Sequence, residues 1–99
     1  MVLIFCKIHR RGEKAVLAAC DKELCGKTLQ HGKIEVSVSE RFYKEKETSE
    51  EELRKMLHEF DNINLIGNKA VAIALEEKLL SQDSVVQIQG VKHAQIFKI

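Results

Sequence analysis

The sequence predicts an α+β domain: a two-layer sandwich in which two helices pack on one face of a mainly antiparallel sheet of three to four strands. Three observations carry this expectation. A nearly continuous apolar, β-favouring segment opens the chain, a strictly alternating segment follows at Lys33–Ser39, and two helical patterns begin at Ser49 and near Asn68. The 99 residues suit a single domain spanning 1–99 with one core, and no repeat or Gly/Ser linker marks a boundary.

Val2–Ile8 reads as a strand covered on both faces because it is rich in Val, Ile, Leu and Phe. Gly12 can supply the positive φ of a turn, so Lys14–Cys20, a second apolar run, is expected to return as the partner of a hairpin, although its alanines also permit a helix. In Lys33–Ser39, Ile34, Val36 and Val38 fall on one side and polar residues on the other, as in a half-buried strand. Ser49 and Glu52 form a capping-box pattern, and Glu50 and Glu51 add negative charge at the positive end of the helix dipole. Leu53, Met56, Leu57 and Phe60 then follow at helical spacing as a single core-facing stripe. Asn62–Gly67 reads as a polar break, and Asn68–Leu80 as a second, more apolar helix that buries Leu75 and Leu79. Val85, Val86 and Ile88, a break at Gly90 and the segment Ala94–Ile99 fit either two short strands or a turn and one strand.

Composition excludes several classes. Hydrophobic residues make up 44% and charged residues 31%, an ordinary globular balance rather than that of a disordered chain. The apolar runs are far shorter than the roughly 18–20 residues that cross a bilayer, and Met1–Cys6 lacks the basic start and cleavage site of a secretory signal. The expectation is a cytoplasmic protein without membrane partners, its three cysteines reduced and forming no disulfide framework. A net charge of +1 gives no global argument for nucleic acid, but Met1–Lys33 carries seven basic against three acidic residues.

Motifs that could carry chemistry have plainer readings beside them. Gly26-Lys27-Thr28 ends like a phosphate-binding loop, yet Asp21 stands where that loop needs its first glycine and no helix pattern follows. Cys6, Cys20 and Cys25 with His9 or His31 could supply four zinc ligands, but the spacing is loose, and a cysteine in an apolar run usually acts as a small buried hydrophobe. No metal, no cofactor and no catalytic residue is expected. Arg41-Phe42-Tyr43 places a base beside two aromatics, where an exposed ring could stack on a nucleobase and the other close the core. His93 follows the Gly90 turn among polar neighbours and reads either as a strand-end histidine or as a general base.

Four ordered motifs span nearly the whole chain: Cys20-Asp21-Lys22-Glu23-Leu24-Cys25-Gly26-Lys27, Ser39-Glu40-Arg41-Phe42-Tyr43, Asn64-Leu65-Ile66-Gly67 and Gly90-Val91-Lys92-His93-Ala94-Gln95. In these the chain resembles an archaeal family of uncharacterised proteins, domain of unknown function 424 (DUF424). It departs from the family pattern at Cys25, where an apolar residue is usual, and at Lys92, where proline is usual. The resemblance implies a compact α+β domain in an archaeal cytoplasm and brings no established activity, substrate or cofactor.

These readings lead to a non-enzymatic binding module of archaeal information processing that contacts RNA or a ribonucleoprotein. Its candidate contacts are Lys7, Arg10, Arg11, Lys27, Lys33, Arg41 and Tyr43. One alternative is a small enzyme or ligand-binding protein with a polar pocket formed by Asp21, Lys27, Asn64, His93 and Gln95, which requires Lys27 and His93 to share one cavity. Another is a protein–protein adaptor, and the long apolar strands also suit an edge-paired homodimer.

Overall fold

The computed structural model describes residues 3–99; Val2, where the first strand is expected to start, lies outside the described residues. Along the chain run β1 (Ile4–Arg11), β2 (Lys14–Asp21), β3 (Thr28–His31), β4 (Ile34–Ser37), the one-turn helix α1 (Glu40–Tyr43), β5 (Lys46–Thr48), α2 (Glu50–Glu59), β6 (Asn62–Ile66), α3 (Asn68–Glu76), β7 (Val86–Ile88) and β8 (Val91–Phe97). β1 and β2 form the expected hairpin over their full length, from Ile4 opposite Asp21 to Arg11 opposite Lys14. Gly12 holds φ +62° at its tight turn.

The main sheet has six strands in the order β5-β1-β2-β6-β8-β7, against the three to four expected. β6 lies parallel to β2, with Leu17 opposite Ile63 and Cys20 opposite Ile66, whereas every other pairing in the sheet is antiparallel. The residues expected to be a polar break at Asn62–Gly67 are therefore largely a central strand. Their asparagines alternate with Ile63 and Leu65, so only one face is apolar at that end.

α2 and α3 pack on one face, as expected. Ser49 accepts from the Glu52 amide at 3.1 Å and Glu52 answers toward the Ser49 amide, so the capping box starts α2 where the sequence places it. Leu53 and Leu57 are fully buried, each worth roughly 1.5–3 kcal/mol of transfer free energy, while Met56 and Phe60 pack at the margin. Small residues Ala70 and Ala74 bring α3 close to Leu17, Ala19 and Leu65 at the centre of the sheet. Leu75 and Leu79 pack at the edge of this cluster rather than inside it.

The opposite face is not bare, so the two-layer description needs correction. A second cluster joins Phe5, Ala18, Cys20 and Ile66 of the sheet to Leu24, Leu29, Val38 and Tyr43, and the β3–β4 hairpin and α1 form a partial third layer. The alternating segment expected over Lys33–Ser39 is a strand only at Ile34–Ser37, paired with β3 outside the main sheet. Val38 is buried and Val36 partly so, but Ile34, at the free tip of the hairpin, is 62% exposed rather than core. Among the described residues, no helix is long and apolar enough to cross a membrane.

Candidate functional site

Three of the four ordered motifs meet where β2 and β6 end and α3 begins. Gly67 caps α3 with φ +123°, and a side chain there would overlap the Asp21 carboxyl. Asp21, only 2% exposed, accepts from the Lys69 amide at 3.0 Å and the Ala70 amide at 2.9 Å. A carboxylate from a distant strand thus satisfies the orphan amides of the helix start and complements its dipole. Burial raises the pKa of that carboxyl, and the two amides oppose the rise. β8 closes the junction: the Gly67 amide donates to the Lys92 carbonyl at 2.8 Å, and the Lys92 amide to Asn68 Oδ1 at 3.0 Å. Asp21 serves architecture here. The helix end that could have held an anion already holds one.

The other polar candidates gather elsewhere. Asn64 and Gln95 are directly opposite each other on β6 and β8, and His93 lies two pairs along, opposite Ile66. Alternation places all three on the α1 side of the sheet, since Leu65, Ala94 and Ile96 belong to the α2–α3 core. Tyr43 donates its hydroxyl proton to Asn64 Oδ1 at 2.6 Å. Lys7 Nζ donates to the Arg41 carbonyl at 2.8 Å, and His9 Nε2 meets the Phe42 carbonyl at 2.8 Å, which assigns the ring proton to Nε2 because a carbonyl only accepts. The His9 ring also stacks on Phe42 with centroids 4.5 Å apart. Two alternate residues of β1 thereby hold the short helix that would not persist alone.

Beside α1 the sheet face opens. Phe97 is 72% exposed and shares this face with exposed Gln95 and with Asn62, its partner across the β6–β8 ladder. Asn62 Oδ1 is buried without a hydrogen-bond partner. Phe97 was not singled out in the sequence, yet a signal exists: in Ala94-Gln95-Ile96-Phe97 the aromatic falls in phase with Gln95, not with the apolar pair.

The basic candidates do not form one patch. Lys7 and Arg11 lie on the α1 face of β1, Lys7 against the carbonyl of exposed Arg41 and Arg11 at the hairpin tip, while Arg10 alternates to the other face with Cys6 and Ile8. Beyond Cys6, the outer edge of β1 has no ladder partner in β5, which pairs only with Ile4–Cys6. Lys27 lies past the far end of β2, with its amide and carbonyl bonded to Leu24 and Val38, and Lys33 lies in the β3–β4 turn. Tyr43 is buried to 6% exposure, so it is the ring that closes the core and is not open to stacking.

Among the described residues, one concave surface of about 600 Å³ is lined by Thr28, Gln30, Glu35 and Gln89, and another of about 290 Å³ between α2 and α3 is lined by residues including Arg54, Lys69 and Glu76. Neither includes Lys27 or His93. The sheet separates the cysteines, with Cys6 in the α2–α3 core and Cys20 and Cys25 in the opposite cluster. Among the described residues, no group of three or more His, Cys, Asp or Glu side chains could hold a metal ion.

Burial lowers the pKa of His93 below its ordinary value of 6.5. Such a group stabilises the fold above its unfolded pKa, and that contribution is lost as pH falls through the depressed folded value. Urea midpoints are therefore expected to drop as pH falls from 6.5 through that range. In His93→Gln the drop should be shallower by up to one proton's worth of slope, and an unchanged slope would show that His93 does not contribute.

The architecture so defined is that of an α+β domain whose mixed sheet is helix-packed on one side and partly open on the other. Residues 8–99 match the family model described as protein of unknown function (DUF424), and the chain belongs to that family. It is similar to the crystal structure of an uncharacterized conserved protein from Methanopyrus kandleri, with a TM-score of 0.78 and 27% identity over 97% of this chain and 93% of that one. That neighbour suggests an archaeal origin. No functionally curated protein matches the chain.

Proposed function

We propose that the protein is a non-enzymatic binding module that takes single-stranded RNA across the open part of its sheet. The observation that carries this reading is Phe97, an aromatic left 72% exposed on a sheet face among the amide side chains of Asn62, Asn64 and Gln95. A ring standing on a sheet offers a stacking platform to any base, and the exposed amide of Gln95 beside it can pair with a base edge. Lys7, Arg11 and Arg41 border the same face on the α1 side and supply charge for phosphates. From β8 to β1 is three strand spacings, about 14 Å, a span of a few nucleotides.

The test is a titration of labelled single-stranded RNA across a salt series. Three cations on phosphates give a log–log slope of roughly −2. Phe97→Ala is expected to weaken binding by about 1–3 kcal/mol with the slope unchanged. Changing both Arg11 and Arg41 to alanine is expected to make the slope shallower by about 1.4. Both changes lie at exposed positions, so circular dichroism should report an unaltered fold. An absence of binding at low salt, or binding indifferent to both variants, would remove this face from consideration and favour a protein partner instead.

A further inference from the structure

We propose that Cys20 and Cys25 form a reversible dithiol site that low-molecular-weight disulfides oxidise to an intrachain bridge. Both are free thiols, Cys20 at the end of β2 and Cys25 just after the 3-10 turn Lys22–Leu24 that follows it. Cys25 packs against the cluster that contains Cys20, on the same side of the sheet and five positions further along the chain. They differ in access. Cys20 is fully buried whereas Cys25 is part-exposed, so a reagent in solution can meet only the second.

This asymmetry sets the order of steps. The Cys25 thiolate attacks one sulfur of the small disulfide, forming a mixed disulfide and expelling one small thiolate. Cys20 then attacks the Cys25 sulfur, releases its proton to solvent and expels the second small thiolate. Two protein thiols are oxidised, the reagent is reduced to two thiols, and the two protons lost by the protein balance the two gained by the products. Burial, and then the neighbouring Cys25, push the Cys20 thiol up to about 12, so Cys20 is a poor first attacker and its later attack depends on being intramolecular. Cys6 is an internal control, since it is buried on the other side of the sheet against Thr48 Oγ1 at 2.7 Å. The three thiols thus have unequal reactivity in the native fold.

The experiment exposes the folded full-length chain to 2-hydroxyethyl disulfide, blocks remaining thiols by alkylation, and digests with trypsin. Cleavage after Lys14, Lys22 and Lys27 separates the two cysteines, so the bridge appears as Ala15–Lys22 joined to Glu23–Lys27. The expected result is that joined pair, with Cys6 alkylated and the bridge reversed by dithiothreitol. In Cys20→Ala the reaction should stop at the mixed disulfide on Cys25, and in Cys25→Ser modification of Cys20 should slow at least tenfold. The wild-type product stands by itself if the core variant fails to fold. An unresolved mixed disulfide on wild-type Cys25, no modification, or equal modification of all three cysteines would each overturn the proposal.

Discussion

Gly67→Ala is expected to destabilise the protein by about 3–5 kcal/mol, because it forces a side chain into a positive-φ extended conformation and against a packed neighbour. The neighbour is the buried Asp21 side chain, which cannot retreat without releasing the Lys69 and Ala70 amides. Asp21→Ala leaves those two amides without their acceptor and is expected to cost about 2–4 kcal/mol. The double variant should lose less than the sum, since removing the carboxyl removes most of what the new methyl would strike. Urea unfolding at constant m-value measures all three. A Gly67→Ala loss under about 1 kcal/mol, or strict additivity, would show that the junction tolerates what its geometry forbids.

Tyr43→Ala is expected to cost about 3–5 kcal/mol, the range for deleting a buried ring. Tyr43→Phe, which keeps the ring and removes only the bond to Asn64, should cost about 0.5–1.5 kcal/mol. Burial first, and then Cys20, raise the pKa of the phenol above its ordinary value of 10.0. Tyr43 therefore adds stability that is fully present below pH 10 and is lost as pH rises through the raised value, a loss that Tyr43→Phe should lack. Equal stability of Tyr43→Ala and wild type would mean that α1 does not cover a core. The same reasoning makes Tyr43 a poor probe of RNA stacking, because its loss disturbs the fold before any surface.

Local codes were legible in the sequence where the responsible residues are adjacent. Ser49 and Glu52 mark the start of α2, and the Gly12 turn joins two apolar runs into β1 and β2. β6 was hidden because Asn62 and Asn64 resemble a loop unless one knows that Tyr43 supplies a donor and β2 supplies a partner. β5 has only three residues and exists by pairing with Ile4–Cys6. Alternation correctly marked a strand at Ile34–Ser37 but could not say that its hairpin tip stands clear of the sheet. At the site, Asn64, His93 and Gln95 do share one sheet face, whereas Asp21 is consumed by α3, a contact 48 positions away in sequence. The regional excess of basic residues was real in composition and was divided by strand alternation, which sends Arg10 and Arg11 to opposite faces.

Burial of β2 on both faces changes what specifies its alignment. Leu17 to Cys20 are all fully buried, so the usual penalty for slipping a strand by one residue, polar groups in and apolar groups out, is largely missing here. Exchanging Ala18 for Ala19 costs little by itself. Discrimination between the native pairing and its neighbours falls instead to the polar ends: Asp21 reaches the α3 amides in only one alignment, and on β1 Lys7 and His9 reach the Arg41 and Phe42 carbonyls. In this hairpin apolar burial supplies cohesion, and a few directional bonds at the periphery supply uniqueness.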